Sequence, residues 1–282
     1  MAAAPVTLQD YMSLSGPAPS AHLAYGSAPS QYAELFLPAG DGPFPVVVLI
    51  HGGCWLKEFQ GIVQMRNLAG ALSAQGIAVW NVEYRRIDEE GGGYPGTYQD
   101  AAAALDLLVA NAAAHHLDTH RLLAMGHSAG GHLVQWLAGR GKLPPSSPLY
   151  KPHPFPVREI IALGSIGDLR NRTHTLKNIC GIDIEKLTGR PTAGRRDVYA
   201  DTSPAELMPN GSHTVLINGA LDSVSPPQTA IDYAERARKV GDAVETLVLP
   251  QAGHFDEVDA SAPAWSLTLR VIAKSLGLSA AQ

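Results

Sequence analysis

The sequence predicts an α/β fold in which a mostly parallel central sheet carries helices on both faces. Short apolar runs alternate along the chain with helical stretches, which is typical of parallel sheets with helical crossovers. Residues 44–50 form a continuous apolar run, as in a strand that is buried on both faces. With 282 residues, of which 45% are hydrophobic and 17% charged, the chain is long enough and apolar enough for one large core.

The predicted elements follow one another from residue 31 onward. The strands are indicated by alternating or continuous apolar residues, and the helices by apolar residues at helical spacing or by Ala and Leu content. The predicted strands are 31–38, 44–50, 78–84, 121–126, 159–166, 214–219 and 245–249. The predicted helices are 65–75, 98–114, 130–139, 228–240 and 264–276.

The chain divides into an N-terminal arm and one domain. Residues 1–30, rich in Ala, Pro and Ser, are expected to lie over the domain as an arm, and residues 31–282 to form a single domain without a separate cap. Two stretches, 141–156 and 170–204, lack clear periodicity. Long loops of this kind in compact domains usually line a site.

Charge and composition exclude several classes of protein. A net charge of −5 argues against nucleic acid or an anionic membrane as a partner. Two cysteines cannot make a disulfide framework or a cysteine-rich zinc site, and they fit a reducing compartment. We see neither a secretory signal nor a membrane-spanning run, so we expect a cytoplasmic location. The oligomeric state stays open.

A nucleophile motif, Gly126-His127-Ser128-Ala129-Gly130, lies between a predicted strand and a predicted helix. That context is the one a nucleophile elbow requires, since small residues let the chain turn sharply and present the serine above the sheet. The helix that follows directs backbone N–H groups at a developing anion. The alternative, a tight turn with a capping serine, does not explain the flanking elements.

A glycine loop, His51-Gly52-Gly53-Cys54-Trp55, directly follows the apolar strand. Paired glycines leave backbone N–H groups bare, so such a loop can donate hydrogen bonds to an oxyanion. We expect the N–H groups of Gly53, Cys54 and Ala129 to form the oxyanion hole. His51 is expected to brace the loop backbone.

These motifs resemble the α/β-hydrolase superfamily over residues 31–276. Within it, the His-Gly-Gly-x-Trp loop, Asn81-Val-Glu-Tyr-Arg85 and the loop 91–95 resemble arylformamidase (kynurenine formamidase)-like and carboxylesterase members. The resemblance implies a serine hydrolase that needs neither cofactor nor metal. It leaves open whether the substrate is a small carboxylic ester or an aryl formamide, or whether the fold serves as a non-catalytic ligand receptor.

The catalytic acid and base follow from chain order, which in this fold is Ser, then Asp or Glu, then His. His254 follows the last predicted strand beside a glycine, and Asp222 follows the strand before it, so we expect a triad of Ser128, Asp222 and His254. Asp168 also follows a strand, but a helix cap is its expected role. Asp256 lies too close to His254 in sequence to orient it.

Three aromatic residues flank the predicted site loops. Trp55, Tyr94 and Phe255 are expected to rim a substrate pocket, with simple packing as the alternative. Arg85 is expected to form an ion pair with Asp100. A covered pocket without a cap domain favours a small acyl group.

Overall fold

The computed structural model describes residues 4–278, which form one eight-stranded sheet with helices around it. The strands are β1 (Ala21–Ala24), β2 (Tyr32–Phe36), β3 (Phe44–Ile50), β4 (Ala78–Val82), β5 (Leu117–His127), β6 (Glu159–Leu163), β7 (His213–Gly219) and β8 (Ala243–Leu249). The helices are α1 (Leu8–Ser13), α2 (Ile62–Ser73), α3 (Gly96–Asn111), α4 (Ala129–Gly139), α5 (Leu169–Cys180), α6 (Glu185–Thr188), α7 (Pro227–Lys239) and α8 (Trp265–Ser275). No helix between residues 4 and 278 combines the length and apolarity needed to cross a membrane.

Strand order brings the loops that carry the sequence motifs together. The order across the sheet is β1-β2-β4-β3-β5-β6-β7-β8. β2 pairs antiparallel with β1 and β4, and every pair from β4 to β8 is parallel. Since parallel strands present their carboxyl ends at one edge, the loops after β3, β5, β7 and β8 converge there. The predicted fold class is confirmed.

The core lies on both faces of the sheet, as β3 shows. Val46, Val48 and Ile50 belong to one apolar cluster with α3 and α4, while Val47 and Leu49 belong to another with α2 and α8. All five side chains are fully buried. Burying an aliphatic side chain of this size contributes about 1.5–3 kcal/mol, so β3 is a firm support for the glycine loop that follows it.

The first thirty residues include two regular elements that the sequence analysis did not predict. Thr7 and Asp10 cap α1 reciprocally, each side chain accepting from the other residue's backbone N–H. Tyr11 of α1 is 2% exposed, and β1 extends the sheet edge beside β2. Ala, Ser and Pro make up just over half of the segment, and its elements are too short for periodicity to reveal them.

α5 and α6 occupy part of the stretch 170–204, which showed no periodicity. In α5 only Leu169, Leu176 and Cys180 are buried, and the residues between them are polar apart from the exposed Ile179. Asp168 caps α5 by accepting the N–H of Asn171 at 3.2 Å, which confirms its predicted role. The helix therefore depends on its cap and on tertiary packing more than on a continuous apolar stripe.

Candidate active site

Ser128 stands in a strained turn between β5 and α4. The strand ends at His127 and the helix begins directly after the serine. Ser128 has φ +51° and ψ −114°, a conformation that residues with a side chain rarely adopt. A Cβ at Gly126 would collide with the carbonyl oxygen of Gly130, so the turn requires a glycine there. The amino end of α4 lies directly behind the serine and favours negative charge.

His51 holds the glycine loop after β3 in place. Its Nδ1 lies 2.8 Å from the carbonyl oxygen of Gly52, and its Nε2 lies 2.8 Å from Glu83 Oε1, which confirms the predicted bracing role. Burial alone would raise the pKa of Glu83, but the His51 imidazole and a neighbouring arginine hold that pKa below its ordinary value. The braced loop places Gly53 and Cys54 on the wall of the cavity that Ser128 also lines.

A disulfide joins Cys54 of the glycine loop to Cys180, the last residue of α5. The two Cα atoms are 5.6 Å apart, although 126 positions separate the residues in sequence. The expectation that the two cysteines fit a reducing compartment is therefore wrong, because residues far apart in sequence can lie close together in the fold. Disulfides persist mainly in oxidising compartments, so the cysteines no longer support a cytoplasmic location.

We expect the double variant Cys54→Ala/Cys180→Ala to lose about 2–4 kcal/mol of unfolding free energy, since the cross-link closes a long loop. Its kcat should fall less than about tenfold, because only the main chain of Cys54 is expected to contact a reacting group. Chemical denaturation with and without a dithiol reductant measures the effect. Reductant should lower the unfolding free energy of the parent protein and leave that of the double variant unchanged. Equal unfolding free energies of the parent protein and the double variant in the absence of reductant would contradict the prediction.

His254 and Asp222 meet at the carboxyl ends of β8 and β7. His254 Nδ1 lies 2.8 Å from Asp222 Oδ2. Asp222 Oδ1 accepts the backbone N–H groups of Val224 and Ser225, each at 2.8 Å, and these fix the carboxylate in one orientation. A carboxylate only accepts hydrogen bonds, so Nδ1 carries the hydrogen and Nε2 of the neutral ring is left as a base.

The two other candidate aspartates, Asp168 and Asp256, make structural contacts away from the His254 imidazole. Asp168 caps α5 and lies 3.3 Å from a guanidinium nitrogen of Arg236. Asp256 Oδ2 accepts the backbone N–H groups of Val6 and Gly253 and so ties the arm to the loop that carries the histidine. Of the three, Asp222 is the one that contacts His254.

A cavity of about 210 Å³ lies where these loops converge. Its wall is apolar apart from the serine hydroxyl, a tyrosine and two imidazoles. The lining residues are Leu8, Tyr11, Gly53, Cys54, Phe59, His127, Ser128, Ile179, Val224, His254 and Phe255. Ala129 is fully buried at the first position of α4, next to the serine. Ser128, His254, the predicted oxyanion loop and Phe255 therefore line one cavity, and Asp222 reaches it through its contact with His254.

Trp55 and Tyr94 do not lie at this cavity, contrary to expectation. Trp55 is fully buried and packs edge-on against His132 with ring centroids 5.5 Å apart, and its φ is +55°. Tyr94 donates its hydroxyl to Asp201 at 2.9 Å, and Arg195 stacks on its ring at 3.9 Å. Both residues belong to packing contacts, the alternative considered from sequence.

The predicted ion pair between Arg85 and Asp100 is confirmed. The guanidinium Nε and Nη2 each lie 2.8 Å from a carboxylate oxygen, in a bidentate arrangement. The Arg85 backbone N–H also donates to the same carboxylate, at 2.9 Å. This pair fixes the chain after β4 against α3 and leaves Arg85 outside the cavity.

Part of the cavity wall comes from segments that no sequence motif assigns to the site. Leu8 and Tyr11 come from α1, and Tyr11 stacks on Phe255 with ring centroids 5.1 Å apart. Ile179 comes from α5, one residue before the disulfide. The Thr7-x-x-Asp10 pattern is a capping signal that could have revealed α1, and Leu8 and Tyr11 then fall on one helix face.

The sequence of residues 34–236 matches the BD-FAE family. This chain belongs to the BD-FAE family. The predicted membership of the α/β-hydrolase superfamily is confirmed by the family match together with the fold. The more specific resemblance to arylformamidases stays a prediction.

Several known proteins are similar to this chain. It is 30% identical over 113 residues to isoprenylcysteine alpha-carbonyl methylesterase ICME of Arabidopsis thaliana, which covers 40% of this chain and 26% of that protein. It is 27% identical over 161 residues to Esterase EstD of Thermotoga maritima, covering 52% of this chain and 38% of the relative. The chain thus spans about a quarter of the length of the curated relatives it matches first.

Solved structures share the fold at low sequence identity. Esterase B from Lactobacillus rhamnosis superposes with a TM-score of 0.75, covering 93% of this chain and 88% of that chain. Its sequence is 20% identical. At that level of identity the likeness establishes the fold, and chemistry has to be argued from the site itself.

Proposed function

We propose that the protein is a serine esterase that hydrolyses carboxylic esters of small molecules through an acyl-enzyme. Ser128 is the nucleophile, His254 the general base and Asp222 the acid that orients the base. One observation carries the proposal: the 2.8 Å contact of His254 Nδ1 with Asp222 Oδ2, on a cavity that Ser128 also lines. The names of the relatives, a methylesterase and an esterase, support it.

In the acylation step, His254 Nε2 accepts the proton of the Ser128 hydroxyl as Oγ attacks the ester carbonyl carbon. The carbonyl oxygen becomes an oxyanion and accepts hydrogen bonds from the backbone N–H groups of Gly53, Cys54 and Ala129. The imidazolium then donates its proton to the departing alcohol oxygen. The acyl group remains on Ser128.

In the deacylation step, water replaces the alcohol. His254 takes a proton from the water as its oxygen attacks the acyl carbon, and then returns a proton to Ser128 Oγ while the carboxylic acid leaves. Asp222 stays ionised throughout and stabilises the imidazolium formed in each half-reaction. Both steps use only groups of the chain, the ester and water.

The cavity wall supports a small, uncharged acyl or leaving group. Leu8, Phe59, Ile179, Val224 and Phe255 present apolar surface next to the serine, and the volume is about 210 Å³. Each methylene that fits adds up to about 0.8 kcal/mol through burial, and each that overruns the cavity adds nothing or collides. The proposed substrates are therefore esters of short acids.

We expect kcat/KM on nitrophenyl esters to peak between formyl and butyryl and to fall steeply by octanoyl. Ile179→Ala should move the optimum to longer chains, because it removes side-chain volume from the cavity rim. Val248→Ala, a change of an exposed apolar residue of β8, is the matched control and should leave the profile unchanged. Initial rates over the ester series measure both effects.

The same assay separates the competing functions. Rates that climb through decanoyl to dodecanoyl esters would indicate a deep acyl channel and contradict the proposed substrate class. N-formylkynurenine is assayed beside the nitrophenyl esters. A kcat/KM for N-formylkynurenine above that for the butyryl ester would assign the protein to the aryl formamide hydrolases. Absence of turnover on every substrate, with the protein folded, would favour a ligand receptor.

A further inference from the structure

Glu257 is a buried carboxyl group next to the proposed triad, and the mechanism above does not use it. It is 1% exposed and lies in a short 3₁₀ turn, three residues after His254. Its Oε1 accepts the backbone N–H of Gly219, the last residue of β7, at 2.7 Å. Its Oε2 is buried and has no hydrogen-bond partner among residues 4–278. One oxygen of this acid is therefore unsatisfied if the group is ionised.

The groups around Glu257 place it against the acid–base pair. The negative charges of Asp222 and Asp256 both act on Glu257. Asp222 Oδ2 itself lies 2.8 Å from His254 Nδ1. Ligand atoms of His127, His254 and Glu257 all lie within 4.8 Å of one another.

The glycine at position 164 shows how closely these groups pack. A Cβ built there would lie 2.5 Å from Glu257 Oε2 and 2.8 Å from His254 Nδ1, and its φ of +49° also favours glycine. The free oxygen of Glu257 and the nitrogen that contacts Asp222 therefore face the same small space. No larger residue at position 164 would leave both groups where they are.

Two adjacent buried carboxyl groups do not both ionise, and the hydrogen bonds decide which one does. Asp222 accepts from His254 Nδ1 and from two backbone N–H groups, whereas Glu257 accepts from one. Burial, and then the charge of Asp222, raise the pKa of Glu257 well above its ordinary value. A proton on Glu257 would give the unsatisfied oxygen a hydrogen bond to donate.

We propose that Glu257 is a positioning residue for the catalytic acid: as a neutral carboxylic acid it donates its O–H to the Asp222 carboxylate and so fixes the orientation of that carboxylate against His254. The inference rests on the proposed function of Ser128, His254 and Asp222. It adds to that function a fourth side chain that contacts no substrate and acts through Asp222.

The test compares Glu257→Gln with Glu257→Leu in the full chain. Glutamine keeps the acceptor for the Gly219 N–H and supplies an amide N–H in place of the carboxylic O–H, so kcat should stay within about threefold of the parent. Leucine has a similar size and no donor, so kcat should fall about ten- to a hundredfold with little change in KM, the value of one hydrogen bond to a charged group.

The pH profile separates positioning by a neutral acid from a charge effect. If Glu257 is neutral, Glu257→Gln leaves the acidic limb of kcat/KM where it is in the parent protein. If Glu257 were ionised, the same change would remove a negative charge beside His254 and move that limb to lower pH. A shifted limb in Glu257→Gln overturns the proposal, as does full activity in Glu257→Leu.

A spectroscopic measurement keeps the test independent of whether Glu257→Leu folds. Infrared spectra at neutral pH should show the C=O stretch of a protonated carboxylic acid in the parent protein and lose that band in Glu257→Gln. The same absorption by the parent protein and Glu257→Gln in that carboxylic acid band would overturn the proposal. Failure of the proposed function looks different, because the parent protein itself would then hydrolyse no ester while the infrared band could still be present.

Discussion

Ser128→Ala is expected to abolish covalent labelling by an organophosphate and to lower kcat by about 10⁴-fold or more. The reagent traps a serine oxygen that a neighbouring base activates, and Ser128 shares its cavity with His254. The turn is shaped by its glycines and by the Ser128 N–H, which donates to the Leu163 carbonyl, so losing one hydroxyl should leave the fold intact. Intact-mass spectrometry of the treated protein and nitrophenyl butyrate hydrolysis measure the two effects.

Ser212→Ala is the matched control for this experiment. Ser212 is also a buried serine, but its hydroxyl donates to the Val157 carbonyl and it is not among the residues that line the cavity. The control should lose some stability and keep both labelling and turnover. Labelling that persists in Ser128→Ala would reveal another nucleophile and contradict the proposal.

The parts of the site that the sequence could predict are those determined by short local patterns. Ser128 is predicted from the Gly-x-Ser-x-Gly spacing between a predicted strand and a predicted helix, which is the context that a nucleophile elbow requires. His254 and Asp222 follow from chain order once the strands before them are recognised. The sequence distinguishes Asp168 from Asp222 because a polar residue before a helix is commonly a cap. For Ser128 and Asp168 the deciding neighbours lie within a few residues in sequence, whereas Asp222 and His254 also depend on the order of the strands along the chain.

The parts that the sequence could not predict depend on contacts between distant segments. Trp55 ends a glycine loop that would suit a pocket rim, yet its side chain is fully buried in the core. Cys54 and Cys180 meet only because α5 packs against the glycine loop. In the sequence Glu257 has no feature that distinguishes it from other acidic residues. Only the fold buries it at the end of β7, where the charge of Asp222 acts on it. Burial and distance, which decide these roles, are properties of the folded chain.

Asp222→Asn is expected to lower kcat by about 10⁴-fold with little change in the fold. The amide oxygen can still accept the N–H groups of Val224 and Ser225, which then directs the amide nitrogen at His254. Two donors cannot face each other, so the imidazole takes the other tautomer, with its hydrogen on Nε2. A ring protonated at Nε2 cannot accept the Ser128 proton. His254→Ala removes the base altogether and should lower kcat to a similar degree.

Asp168→Asn makes the same chemical change at the aspartate that caps α5, so it controls for the loss of a carboxylate. Asparagine is also a good N-cap, and the ion pair with Arg236 is partly exposed, so we expect kcat within about threefold of the parent and less than about 1 kcal/mol of lost stability. Parallel kcat measurements and thermal unfolding of the three variants compare them directly. If Asp168→Asn were as inactive as His254→Ala while Asp222→Asn stayed active, Asp168 would be the acid. The 2.8 Å contact between His254 and Asp222 would then be structural.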